Sequence, residues 1–151
     1  MEDNSLKPLI EEAIKVSMKN GEKEKTTTLR MAMSEIKKKE IDKKSGLDNQ
    51  EITILIQGMI KQGKDSSNHF RSADREELAL KEEREIETLS EFLPAQLSEE
   101  EISAFVKEAV EALNAKTNQD IGRVMGTLKT NLQGKADMSL VSKIVKERLT
   151  K

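Results

Sequence analysis

One segment near the end of the sequence places a glycine, a lysine and an aspartate between two stretches with helical periodicity. Its sequence is Leu132-Gln133-Gly134-Lys135-Ala136-Asp137. Gly134 is typical of a helix end and Asp137 of an N-cap, so we expect Lys135 to lie beside the amide-rich start of a final helix. Free amide donors at such a start bind phosphate groups. The segment therefore predicts a phosphate-binding turn.

Basic residues on both sides of this turn extend it into a candidate phosphate-binding surface. Residues 117–151 hold seven basic and three acidic residues, a net charge of +4, whereas residues 1–94 and 95–116 each carry −3. Lysine and arginine that neutralise phosphates supply much of the affinity of proteins for nucleic acids. A mildly basic surface without function is the alternative that the residues alone leave open. The candidate phosphate-binding residues are Arg123, Lys129, Lys135, Lys143 and Lys146.

The scarcity of aromatic residues limits the kind of nucleic acid that this surface would recognise. The chain has no Trp or Tyr and only three Phe. Sequence-tolerant binding of single strands relies on stacking bases against aromatic rings. Without aromatic rings, the protein would recognise the sugar–phosphate backbone and the shape of the nucleic acid, as proteins do with structured RNA.

The sequence offers no catalytic, metal or cofactor site. It contains no Cys, and its single histidine, His69, lies in a polar stretch with only Asp65 nearby as an orienting partner. The acidic run at 82–85 alternates with Lys81 and Arg84, which is typical of a solvated helix face. Glycine patterns that cradle nucleotide phosphates are absent. We therefore expect no catalytic centre, no metal and no cofactor.

Gly122 and Gly126 form the other glycine pattern. Four residues apart, they fall on one face of the predicted helix that precedes the basic turn. Small residues at this spacing let two helices approach closely. We predict a structural role for both, alongside the helix-ending Gly134 and the capping Asp137.

The elements that hold these residues are predicted to be helices throughout. Apolar residues recur with a period near 3.6, and aliphatic rather than aromatic residues must fill the core. Capping-box patterns at Asp48 with Glu51, at Asp74 with Glu77, and at Ser98 with Glu101 mark helix starts. Of a projecting helix and a mobile corner, the polar stretch 64–75 favours the projecting helix. The fold class is all-α and multihelical.

A boundary is expected just after the fourth helical stretch, because Pro94 cannot donate a backbone hydrogen bond. The segment Pro94 to Ser98 separates a predicted N-terminal helical subdomain, residues 1–94, from a C-terminal three-helix subdomain, residues 95–151. The N-terminal Met1-Glu2-Asp3-Asn4 has neither a basic nor an apolar leader region, and no stretch approaches a spanning helix. With the absence of Cys, this predicts a cytoplasmic protein without a membrane partner.

Several motifs resemble the YqeY family. They are Asp120-Ile121-Gly122-Arg123-Val124-Met125-Gly126, Gly134-Lys135-Ala136-Asp137, and Leu140-Val141 to Val145-Lys146. Upstream, Leu29-Arg30-Met31, Ala73-Asp74-Arg75, Leu93-Pro94 and Gln96 to Glu100 resemble stand-alone YqeY proteins, so the likeness runs nearly end to end. Met138 and Asp74 depart from the pattern, where the family commonly has a small residue and a glycine.

The resemblance implies a multihelical fold of two subdomains and a role near tRNA. The family shares its C-terminal region with the tails of GatB and GatE, subunits of tRNA-dependent amidotransferases, which contact tRNA. It implies tRNA as a partner, with an amidotransferase or an aminoacyl-tRNA synthetase as a further partner, and no DNA. The family label of carbon–nitrogen ligase with glutamine as amido-N-donor would apply only within such a complex. The alternative is a helical protein-interaction module without RNA binding, docking a partner through the first subdomain and the corner around Phe70.

Overall fold

The computed structural model describes residues 5–150, which form helices and connecting turns. No β-strand occurs within these residues, so the prediction of an all-α multihelical fold is confirmed. The described helices, in chain order, are α1 (Leu6–Lys19), α2 (Lys23–Lys43), α3 (Asn49–Ser72), α4 (Glu76–Ser90), α5 (Glu99–Ala112), α6 (Ile121–Leu132) and α7 (Met138–Leu149), with a 3₁₀ turn (Asn118–Asp120) before α6. No helix in this range is both long and apolar enough to cross a lipid bilayer.

The chain divides into two compact units between Leu93 and Pro94, and each unit has its own apolar core. The assignment of residues 1–94 to an N-terminal helical subdomain and of residues 95–151 to a C-terminal three-helix subdomain stays a prediction. The fully buried side chains of the first core include Ile10, Leu29, Ile36, Ile52 and Ile56. Those of the second include Ile102, Val106, Val124, Leu128, Leu132, Val141 and Val145.

The first unit contains two helical pairs, α1 with α2 and α3 with α4. The first helix ends just before Gly21, whose φ of +74° lies in the left-handed region that favours glycine. A buried hydrogen bond of 2.6 Å joins the hydroxyls of Ser17 and Thr26 across the first pair. Each hydroxyl also bonds a backbone carbonyl, Ser17 that of Ile14 and Thr26 that of Glu22, so the contact adds a polar link between the two helices to their apolar packing.

The polar stretch after Gly63 is helical, but it does not project. It is the second half of α3, whose start has the predicted capping box between Asp48 and Glu51. Ser67 is buried and donates to Glu83 of α4, and Arg71 lies 2.9 Å from both Glu76 and Glu83. Polar and ionic contacts thus hold this part of α3 against α4, which an apolar pattern cannot reveal.

The predicted cap of α4 by Asp74 is wrong. The N-cap position falls on Arg75, which makes no side-chain capping bond within the described chain. Asp74 instead has φ +59°, in the left-handed region that aspartate tolerates better than most residues. It closes the corner between α3 and α4, which accounts for the glycine that the family pattern commonly has here.

Candidate functional site

The turn between α6 and α7 is closed tightly around Gly134. This glycine is buried and has φ +88°, a conformation that favours glycine. The amide groups of Lys135 and Ala136 both donate to the carbonyl of Leu132, at 2.9 and 3.1 Å. The turn therefore has a fixed shape and holds Lys135 at its exposed corner.

The segment before α5 anchors this turn, a relationship that the sequence reasoning missed. Gln96 Nε2 donates to the carbonyl of Gly134 at 3.0 Å, and the backbone amide of Leu97 donates to the carbonyl of Lys135 at 2.9 Å. We expected this segment only as a boundary. Its contacts lie almost forty residues away in sequence, so no local pattern indicates them.

A carboxylate occupies the amide-rich start of α7. Asp137 Oδ1 accepts a 2.9 Å hydrogen bond from the amide of Ser139 and so caps the helix. A phosphate placed there would meet this negative charge, which weakens the attraction of the helix start for a second anion. The helix start on which the predicted phosphate-binding turn relies is therefore already capped by Asp137.

Four of the five predicted cations are exposed and have no ion pair or hydrogen-bonded acid among the described residues. They are Lys129, Lys135, Lys143 and Lys146, which we call the lysine set. Lys143 and Lys146 lie about 60° apart around α7, on one side of it. Lys129 is in the last turn of α6, shortly before Lys135 in the sequence. Residues 121–149 hold six basic residues against two acidic ones, of which Asp137 is already used as a cap.

Arg123, the fifth predicted cation, differs from the lysine set because it is hydrogen-bonded within the second unit. One of its terminal nitrogens donates to Asp120 Oδ1 at 3.0 Å and to the carbonyl of Leu113, at the end of α5, at 3.2 Å. It lies about 120° around α6 from Lys129. Backbone donation from Lys116 and then Thr117, with a smaller contribution from Arg123, holds the pKa of Asp120 below its usual value. Arg123 therefore ties α5 to α6 rather than extending the lysine set.

The predicted packing role of Gly122 and Gly126 is wrong within the described chain. Both are exposed, and a Cβ added to either would meet nothing within 4 Å. The buried residues of α6 are Val124, Leu128 and Leu132, on another face of the helix. Spacing places two glycines on one face but does not show whether a neighbour covers it. The result is a strip of bare backbone on the outside of α6.

No group of three or more His, Cys, Asp or Glu in residues 5–150 is arranged to hold a metal ion. His69 is exposed in the last turn of α3. Arg84, on the predicted solvated face of α4, pairs with Glu24 of α2 at 2.7 Å. That contact keeps the pKa of Glu24 below its usual value.

Comparison with known proteins identifies the family. Residues 7–149 match the Yqey-like protein family (YqeY). The chain belongs to this family. The YqeY-like chain is similar to "Altered inheritance of mitochondria protein 41, mitochondrial" of Pyrenophora tritici-repentis, with 30% identity over 149 residues, covering 96% of this chain and 81% of the relative.

Two yeast relatives show a similar likeness. The protein of the same name from Saccharomyces cerevisiae (strain YJM789) is 31% identical over 127 residues, which is 80% of the YqeY-like chain and 68% of the relative. An uncharacterized protein of Schizosaccharomyces pombe is 33% identical over 94 residues, 62% of the chain and 76% of that protein. The names of the Pyrenophora and Saccharomyces relatives both include the word mitochondrial.

The prediction of a cytoplasmic location is contradicted by these names, which point to mitochondria instead. The absence of Cys, one premise of the prediction, is compatible with more than one compartment and does not distinguish between them. The other premise rested on Met1–Asn4, which lie outside the described residues.

Proposed function

We propose that the YqeY-like chain is a tRNA-binding accessory protein that holds phosphates of the folded RNA with the lysine set. The observation that carries the proposal is the exposure of Lys129, Lys135, Lys143 and Lys146 without acidic partners in the described chain. An ammonium already paired within the protein has less to gain from a phosphate. Unpaired ones release counterions from the nucleic acid when they bind.

The charge distribution within the second unit supports a polyanionic partner. α5 carries five acidic residues and one basic residue, whereas residues 121–149 carry the opposite excess. A unit with one acidic and one basic side orients an approaching polyanion and raises its association rate. This effect favours encounter through α6 and α7.

The bare backbone of α6 supports a close approach of the sugar–phosphate chain. Glycine inside a helix is less favourable than alanine by about 1 kcal/mol. Gly122 and Gly126 bring no packing in return within the described residues. A ligand backbone that comes close to α6 gives these two positions a physical purpose.

The choice of tRNA among structured RNAs comes from the family resemblance. Residues 117–151 resemble the tails of GatB and GatE, and those tails contact tRNA. In this proposal the chain presents or retains tRNA for an amidotransferase or an aminoacyl-tRNA synthetase. The partner would perform the carbon–nitrogen ligation, since the sequence offers no catalytic centre of its own.

Filter binding of total tRNA by the purified chain across a salt series tests the proposal. With about four phosphates neutralised, the slope of log affinity against log salt should be roughly −3 to −4. The variant Lys135→Glu/Lys143→Glu should bind at least tenfold more weakly at low salt. Lys107→Glu/Lys116→Glu, at two exposed lysines that precede α6, changes the net charge by the same amount, so it is the matched control and should bind nearly as the parent does.

Two results would overturn the proposal. One is the absence of tRNA retention at low salt by a protein whose circular dichroism shows intact helices. The other is equal weakening by the Lys107→Glu/Lys116→Glu control, because that would reflect overall charge rather than a surface on α6 and α7.

A further inference from the structure

One exposed side of α2 carries several basic residues and, within this described helix, no acidic ones. A helix turns by about 100° per residue, so the four basic residues of this side fall within an arc of roughly 100°. They are Lys23, Arg30, Lys37 and Lys38, and all four are exposed. Thr27, Ser34 and Ile41 lie between them, and the side opposite carries the buried Ala32 and Ile36. We call this surface the basic face of α2, and from Lys23 to Ile41 it extends over about 27 Å.

The acidic residues of α2 lie outside this face. They are Glu24, Glu35, Glu40 and Asp42. Each lies at least about 40° beyond the nearer edge of the face. Glu24 is paired with Arg84 of α4 at 2.7 Å. Glu40 is paired with Lys7 of α1, also at 2.7 Å. Two of the four carboxylates are therefore already neutralised by other helices.

The charges beside the basic face do not cancel it. Within the described chain, Lys38 is the one member of the face that has an ion pair, 3.6 Å from the exposed Glu35. On α1, the side next to α2 carries Glu11 and Lys15, whose charges offset each other. On α3, the residues that line the groove next to this face are uncharged. They are Ile54, Leu55, Gly58, Met59 and Gln62.

Exposed aliphatic side chains lie among and beside these cations. Ile41, in the middle of the arc, is 74% exposed, the highest value of any large apolar residue in the described chain. Met31, just past the edge formed by Lys38, is 51% exposed. Met18 of α1 is 54% exposed, and its sulfur accepts a hydrogen bond from Arg30 at 3.1 Å. The surface therefore combines positive charge with aliphatic groups in contact with water.

This combination fits the surface of an anionic lipid bilayer better than a nucleic acid. Phosphates of RNA would pair with the cations and leave Ile41 in water. The interfacial region of a bilayer accepts aliphatic side chains, while the lysine ammonium groups reach outward to the headgroup phosphates. One straight side of a helix also matches a flat surface. Each basic residue near an anionic bilayer strengthens binding by roughly fivefold.

We infer that the basic face of α2 attaches the first unit to membranes that contain anionic phospholipids. The cations lie at headgroup phosphates, and Ile41 enters the interfacial region. The expectation of no membrane partner considered only leader and spanning segments, and a helix that lies on the bilayer surface needs neither. This contact belongs to the first unit and does not depend on tRNA binding by the lysine set.

Co-sedimentation of the full chain with vesicles of phosphatidylcholine and phosphatidylglycerol tests the inference. The chain should sediment with these vesicles and not with phosphatidylcholine alone. Lys23→Gln/Lys37→Gln should weaken binding at least about tenfold. Lys39→Gln/Lys64→Gln, at two exposed lysines outside the face, changes the net charge equally and should bind as the parent does. Circular dichroism checks that both variants remain helical.

A tryptophan at position 41 reports whether this residue enters the bilayer. The chain has no Trp, so Ile41→Trp gives a single fluorophore. Its emission should shift to shorter wavelength when the anionic vesicles are added. Leu80→Trp, at an exposed residue of α4, is the matched control and should show no shift.

Four results would overturn the inference. The first is no sedimentation with the anionic vesicles, and the second is equal weakening by the two lysine pairs. The third is binding without a shift in the emission of Ile41→Trp. The fourth is weaker tRNA retention by Lys23→Gln/Lys37→Gln with unchanged vesicle binding, which would assign the basic face of α2 to RNA.

Discussion

A Cβ added to Gly63 would lie 3.0 Å from Cγ1 of Ile86, so α3 and α4 meet at this point with no side chain on the α3 side. A contact of 3.0 Å is closer than carbon atoms normally approach. The helix-packing glycine of this protein is therefore Gly63. Gly122 and Gly126, which have the familiar spacing, have open space around them.

Replacement of Gly63 should destabilise the first unit. Gly63→Ala gains about 1 kcal/mol of helix propensity, but overpacking against Ile86 costs about 1–3 kcal/mol. We expect a net decrease of roughly 1 kcal/mol in the free energy of unfolding. Urea denaturation followed by circular dichroism measures it.

Gly58→Ala is the matched control for that prediction, because it lies on the same helix with no atom within 4 Å of the added Cβ. It should raise the free energy of unfolding by about 0.5–1 kcal/mol. Equal effects of the two substitutions would show that the contact with Ile86 does not constrain α3.

Substitutions at Gly122 and Gly126, the exposed glycines of α6, should change protein stability and tRNA binding in opposite directions. Gly122→Ala and Gly126→Ala should each stabilise the protein by about 0.5–1 kcal/mol through helix propensity. If RNA approaches this strip, the same variants bind tRNA more weakly. Thermal denaturation and filter binding on the same samples measure both, and greater stability with unchanged affinity would exclude contact between the strip and RNA.

The stability of the second unit should depend on Gly134, the glycine in the turn before α7. Gly134→Ala forces a side chain into a left-handed conformation, which costs about 1–2 kcal/mol, at a buried position. Gln96→Ala removes the hydrogen bond to the carbonyl of Gly134 and should cost about 0.5–1.5 kcal/mol. Urea denaturation measures both losses. Since both residues serve one turn, the double variant should lose less than the sum.

Glu85 should make stability depend on pH. Its pKa is raised in the folded protein above its ordinary value of 4.5, by partial burial first and by Glu82 second. The protonated form is favoured by folding, so its contribution is full below pH 4.5 and is lost as pH rises through the folded-state pKa. Glu85→Gln should therefore stabilise the protein at pH 7 more than at pH 4.

Thermal denaturation at the two pH values measures this difference. Glu87→Gln, an exposed carboxylate on the same helix, is the control. A larger pH-dependent gain for Glu87→Gln than for Glu85→Gln would contradict the assignment.

The sequence was sufficient for features that depend on neighbouring residues. Helical periodicity predicts the all-α fold, and the capping boxes at Asp48 and Ser98 are present as expected. Sequence patterns did not predict the features that depend on contacts between distant parts of the chain. Arg123 meets the carbonyl of Leu113, and Gly63 meets Ile86, through packing that no local spacing encodes.

In the candidate site, too, local features could be predicted from the sequence and long-range contacts could not. The lysine set is exposed, as expected for Lys129, Lys143 and Lys146 outside the apolar stripes of α6 and α7 and for Lys135 in the turn between these helices. The anchoring of its central turn by Gln96 and Leu97 could not be predicted, since a polar side chain in a linker has many possible partners. Binding of tRNA by these lysines stays a prediction.

The hydrogen bonds from Gln96 and Leu97 bear on how the second unit should be produced in isolation. A recombinant fragment that starts at Glu99, the first helical residue of α5, would remove both donors and leave the carbonyls of Gly134 and Lys135 without them. Poor expression of such a fragment would then reflect a misplaced cut rather than an inability of the unit to fold. The safe cloning boundary lies at or before Pro94.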